Sequence, residues 1–215
     1  INSFLQNINN KNNNRNFVIK NPAGEHAICA GLKEEMSVLI KGHVGYYCGG
    51  MNQKASITID GNAGTGLGEN MMSGTIHVKG NTSQSAGATA HGGTIIIEGD
   101  ASSRCGISMK GVEIIVKGSV GHMSAFMAQA GTLLICGDAG EALGDSIYET
   151  IIYIAGTPKS LGVDCVEKKI TNKDLKKIEN LIKIANIKKL KPHNFKKFGS
   201  ARKLYNFNID NVSEY

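Results

Sequence analysis

The sequence predicts an all-β protein: a right-handed parallel β-helix of about seven 19-residue coils, with a C-terminal α-helix and an extended tail. Three observations carry this. A short aliphatic motif ending in glycine recurs without insertion, glycine reaches 27 of 215 residues while tryptophan is absent, and the period leaves no room for a helix between strands.

The motif runs Val38-Leu39-Ile40-Lys41-Gly42, Ile57-Thr58-Ile59-Asp60-Gly61, Ile76-His77-Val78-Lys79-Gly80 and Ile95-Ile96-Ile97-Glu98-Gly99. It continues as Ile114-Ile115-Val116-Lys117-Gly118, Leu133-Leu134-Ile135-Cys136-Gly137 and Ile152-Tyr153-Ile154-Ala155-Gly156. The anchor glycines Gly42, Gly61, Gly80, Gly99, Gly118, Gly137 and Gly156 all stand 19 apart. Further glycines recur in phase behind them, as in Gly45, Gly49, Gly68 and Gly74. Each coil therefore reads as one strand followed by corners that need φ > 0 or a close backbone approach. A strand repeated at this spacing must return beside itself in parallel, and crossover chirality makes the coil right-handed. At ~4.8 Å per strand, seven coils rise roughly 34 Å. Hexapeptide helices need a period divisible by six, and calcium-binding rolls need regular aspartates. Neither fits.

Strand alternation sorts the side chains. Val38 and Ile40, Ile57 and Ile59, and their equivalents share one parity and should line the tube. The position six past each anchor is small or apolar, so Cys48 and Cys105 read as core thiols. On the outward parity, Lys41, Asp60, Lys79, Glu98 and Lys117 alternate in sign, and the rank then ends in Cys136 and Ala155. The neighbouring rank turns apolar, and Ile96, Ile115, Leu134 and Tyr153 form a candidate interface stripe that something must cover. Thr171-Asn172-Lys173-Asp174 opens like a helix cap. Leu175, Ile178, Leu181, Ile182 and Ala185 then recur at helical spacing. The spacing predicts a helix over 172–186 that packs on the last coils.

Beyond Pro192 the chain reads as an extended tail, with Phe195, Phe198, Tyr205 and Phe207 set among lysines and arginines. Phe198, Arg202, Tyr205 and Phe207 are candidates for docking in a groove of another subunit. Stacking on nucleic-acid bases is the alternative, and no folded nucleic-acid module accompanies it. The organisation expected is a flexible Asn-rich arm over 1–16, the β-helix over 17–165, and a basic helix and docking tail over 166–215. The last segment holds 13 Lys and Arg against 5 Asp and Glu, and residues 1–165 hold 11 against 13. With no apolar run near ~18 residues and nothing like an export signal, a cytoplasmic protein with five free thiols is expected.

No catalytic, cofactor-binding or metal-binding residue is expected. His26, His43, His77, His91, His122 and His193 share no coil position, so they do not converge on a metal. The glycines mark corners and do not lead into a phosphate-binding helix. Asp60 and Glu98 have Lys79 between them. A rank of Ser37, Ser56, Thr75 and Thr94, suggestive of an ice-binding face, is interrupted by Glu113.

The coil Gly61-Asn62-Ala63-Gly64-Thr65-Gly66-Leu67-Gly68 and its repeats resemble the GXGXG β-helix domain. That domain closes glutamate synthase large subunits and occurs in a formylmethanofuran dehydrogenase subunit. The resemblance covers residues 20–165. Ser160-Leu161-Gly162-Val163-Asp164-Cys165 and the segment from Phe198 to Phe207 are most similar to the stand-alone β-helix subunits of N-methylglutamate synthases. The resemblance implies a non-catalytic scaffold in a hetero-oligomer. It would bridge a class II glutamine amidotransferase-like subunit and a glutamate synthase-like barrel subunit that holds FMN and an iron–sulfur cluster. The complex would convert glutamate and methylamine to N-methylglutamate and ammonia. A β-helix subunit of glutamate synthase or of formylmethanofuran dehydrogenase is the alternative, and a binding module acting through the basic tail is another. No amino-terminal Cys nucleophile, flavin site or iron–sulfur Cys cluster is expected in the chain itself.

Overall fold

The computed structural model describes residues 1–8 and 15–202, and in it the strands of the glycine repeat lie side by side in chain order, as the 19-residue period demands. A short helix, α1 (Asn2–Gln6), precedes β1 (Asn16–Lys20), β2 (Ser37–Lys41), β3 (Ser56–Asp60) and β4 (Thr75–Val78). Then come β5 (Thr94–Ile97), β6 (Lys110–Val116), β7 (Ala130–Ile135), β8 (Ile151–Ile154) and β9 (Cys165–Lys168). α2 (Asn172–Ile184), a 3-10 turn (Pro192–Asn194) and β10 (Lys196–Ser200) complete the order. β1 to β8 stack in parallel. Ile57 faces Ile76, Ile76 faces Ile95 and Ile95 faces Ile114. A second line of parallel bridges runs Val44, Ala63, Thr82, Ala101, Val120, Ala139 and Pro158, so each coil is tied to the next on two sides. The protein is a parallel β-solenoid of about seven turns, as the period predicts.

The inward parity fills the tube. Ile57, Ile59, Ile76, Val78, Ile95 and Ile97 are fully buried, with Cys48, Leu67 and Cys105 among them. Burial pushes the Cys105 thiol up to about 12, and burial together with neighbouring Cys29 raises the Cys48 thiol as well. These are packing groups.

The two reasons for glycine separate cleanly along the coil. Seven residues past the anchor, the backbone is left-handed, as at Gly68 (φ 64°). The conformation alternates there, with Gly66 and Asn70 left-handed on either side. Alternate N–H groups consequently point to opposite neighbours: Gly66 donates to Gln84 O (3.0 Å) and Gly68 donates back to Cys48 O (2.9 Å). The anchors are different, because beyond Gly42 none has a left-handed φ. A Cβ at Gly99 would fall on Asn81 Oδ1, and one at Gly118 on Asp100 Oδ1.

The amino terminus is not a free arm over residues 1–8. An open tube end exposes aliphatic side chains and unpaired backbone, and α1 closes it. Leu5 and Ile8 enter the core, Asn2 donates to Ala27 O (2.7 Å) and accepts from Cys29 N (2.8 Å). The solenoid also begins one strand earlier than the glycine repeat. Asn16 pairs with Ser37, so this first coil is longer than the rest, and Asn21 (φ 52°) occupies the anchor's place. Finally, Lys196–Ser200 docks within its own chain. β10 inserts antiparallel between β8 and β9, and Phe198 packs into the core.

Candidate interaction site on the C-terminal cap

The outward apolar stripe is covered by the helix expected for it. Ile96, Ile115, Leu134 and Tyr153 pack with Ile178, Leu181, Ala185 and Phe195 in one cluster. The four stripe residues are therefore an interface within the chain and are not available to a partner. Thr171 caps α2 as its sequence implies, its hydroxyl accepting from Asp174 N while Asp174 Oδ2 accepts from Thr171 N (2.8 Å). Asp174 does more than cap. Its carboxylate also accepts from Tyr153 OH (2.6 Å) and Lys197 Nζ (2.9 Å), joining helix, last coil and β10 at a buried point. Burial opposes its charge, yet the hydrogen bonds from Thr171, Tyr153 and Lys197 hold the carboxyl far below the usual carboxylate range. Burial and the same hydrogen bond push the Tyr153 phenol up.

The remaining candidate residues fall apart. Phe198 is buried at 3 % exposure, Arg202 pairs with Asp164 (2.6 Å), and Tyr205 and Phe207 lie outside the described residues. What the cap leaves outside is charge. Residues 166–202 hold twelve Lys and Arg against three Asp and Glu. Lys177 pairs with Glu113, and Lys197 and Arg202 are paired as above. Among the described residues Lys173, Lys176, Lys183, Lys188 and Lys189 are exposed and have no carboxylate partner. Where the loop after α2 passes over Cys136, a recess of about 470 Å³ opens among Cys136, Ile187, Leu190, Lys117, Lys188 and Lys189.

Only part of the outward charge rank is paired. Glu98 accepts from Lys117 (2.7 Å) and His77 (2.7 Å), and against the cost of burial these bonds lower its carboxyl below the ordinary value. The site is partly exposed, so Glu98→Gln should cost no more than about 1 kcal/mol, measured by urea unfolding. A loss well above that would mean the rank stabilises the stack cooperatively.

One ordered array escaped the sequence reading. The residue after each of the first six anchors accepts a hydrogen bond from the corresponding backbone N–H of the next coil. His43 Nδ1 accepts from Asn62 N (2.9 Å), Asn62 from Asn81 N (2.8 Å) and Asn81 from Asp100 N (2.8 Å). Asp100 accepts from Ser119 N (2.7 Å), Ser119 from Asp138 N (3.0 Å) and Asp138 from Thr157 N (2.8 Å). The signal was present, since His43, Asn62, Asn81, Asp100, Ser119 and Asp138 all carry an acceptor. His43 is thereby a structural residue. Among the described residues no three His, Cys, Asp or Glu gather as a metal-binding group, and no helix is long and apolar enough to cross a membrane.

The comparisons agree with this architecture. The family described as "GXGXG motif" matches residues 3–210. Protein GlxC of Rhizobium meliloti (strain 1021) is 52% identical over 214 residues, covering 100% of this chain and 94% of that protein.

Proposed function

We propose that this chain, which belongs to the GXGXG motif family, is a structural subunit of a glutamate synthase-like complex. In the finer reading the complex is an N-methylglutamate synthase, making N-methylglutamate and ammonia from glutamate and methylamine. The chain would bridge an amidotransferase-like subunit and a barrel subunit that carries FMN and an iron–sulfur cluster. The observation that supports a scaffold role is how the chain spends its polar side chains. The acceptors behind the anchors are committed to neighbouring coils, and Asp174 is committed to holding the cap. The result is a rod whose ends are both closed within the chain, by α1 and by β10. A rod of this kind is suited to holding two bodies at a fixed separation. Base stacking through Phe195 and Phe198 is disfavoured, because both rings are buried.

The test is purification of the native assembly from its own cells, with its visible spectrum and subunits recorded. Co-purification of an amidotransferase-like and a flavin-containing subunit, with methylamine-dependent N-methylglutamate formation, is the expected result. A molybdenum-containing partner would replace the synthase reading with the formylmethanofuran one. A solitary, colourless protein would overturn the scaffold reading.

A further inference from the structure

We infer that the recess beside the end of α2 is a docking site for an acidic segment of a partner protein that inserts one apolar side chain. The inference rests on the reading of this chain as a subunit and adds where, and with what chemistry, a partner engages it. Its origin lies in the outward strand rank. Five coils present Lys41, Asp60, Lys79, Glu98 and Lys117, and the next two present Cys136 and Ala155. Those last two are partly buried against the helix cluster. The loop after α2 crosses this apolar ground without filling it. Cys136, Ile187 and Leu190 form the apolar part of the recess, and Lys117, Lys188 and Lys189 its charged part.

Charge selects the occupant. Lys117 is already bonded to Glu98 (2.7 Å), whereas Lys188 and Lys189 have no carboxylate partner among the described residues. They sit in a cap segment with twelve basic and three acidic residues, so its field favours carboxylates. The apolar floor asks for an aliphatic or aromatic anchor, the combination of desolvated centre and charged rim that protein interfaces use. Among the described aromatics of the cap segment, Phe195 and Phe198 are each 3 % exposed and offer a nucleic acid no ring to stack on.

The full chain can be tested with three fluorescein-labelled probes: the peptide Glu-Glu-Leu-Glu-Glu, pentaglutamate and oligouridine. Binding is read by anisotropy, and occupancy by the rate at which N-ethylmaleimide alkylates Cys136. The other four thiols are buried, so Cys136 dominates that signal. The leucine peptide should bind best and slow alkylation. Lys188→Glu with Lys189→Glu should weaken its binding roughly tenfold or more. The same reversal at exposed Lys33 and Lys54, far from the cap in sequence, should leave binding unchanged. Equal binding of pentaglutamate, or an unaltered Cys136 rate, would overturn the recess as the site. Tighter binding of oligouridine would overturn the choice of a protein partner. None of these outcomes depends on recovering the native assembly, so this inference and the scaffold reading fail separately.

Discussion

Gly99→Ala is expected to cost about 2–3 kcal/mol, at the upper end of what overpacking by one methyl group produces. The new methyl would fall on Asn81 Oδ1, with Gly80 O 3.1 Å away. Asn81 cannot simply swing aside, because its oxygen is the acceptor for Asp100 N (2.8 Å). The steric conflict and the hydrogen bond therefore concern one atom, which a double-mutant cycle can expose. Asn81→Ala alone should cost about 1 kcal/mol for the lost bond. In the Asn81→Ala background, Gly99→Ala should cost at least 1 kcal/mol less than in the parent. Urea midpoints at unchanged slope measure all three variants. Strict additivity would move the strain from the Asn81 side chain to the backbone of the coil below and refute this account of the anchors.

The second large effect belongs to Asp174. Asp174→Ala should cost about 3–4 kcal/mol, because it leaves the Tyr153 hydroxyl and the Lys197 ammonium without their carboxylate and removes the carboxylate half of the capping box as well. The loss should be regional. Amide exchange should rise over residues 172–200 and remain slow in β2 to β5, since the cap and the early coils share no hydrogen bond to this carboxylate. The pH dependence has a definite sign. The folded carboxyl titrates below its unfolded value, so its contribution is full above about pH 4 and is lost as pH falls toward the folded value. Asp174→Asn should flatten that acid limb. A wild-type protein whose cap protection factors, corrected for the intrinsic exchange rate, are indifferent to pH from 5 down to 2 would show that the carboxylate does not secure it.

Much of this was legible in the sequence because the repeat samples one environment many times. Parity alone placed Ile57, Ile59, Ile76 and Val78 inside, and the apolar turn of the outward rank at Ile96 called for a cover that Ile178 and Leu181 supply. Legibility fails where the repeat does. The first coil lacks the anchor glycine and is longer, so Asn16–Lys20 carried no periodic signature. α1 buries only Leu5, with Ile8 following just beyond it, and a plug of that size leaves no helical stripe to read. Phe198 packs in its own chain instead of in a partner, and it looks the same in sequence whether its groove belongs to a partner or to the chain itself. The acceptor array was overlooked for a different reason: His, Asn, Asp and Ser differ as letters but perform the same act toward the next backbone N–H.

The repeated register has a mechanical corollary. From β2 to β8 the paired core residues keep a 19-residue offset, with one shift where Lys110 pairs with Ala130, and the two closures α1 and β10 lie at opposite ends of the stack. The span of such a rod is quantised, like a gauge block assembled from identical leaves. Evolution or an engineer can lengthen it by one leaf, ~4.8 Å at a time, while the two end faces keep their own chemistry. Any machine built around this part inherits its dimension from a whole-number count of turns, with little room for drift.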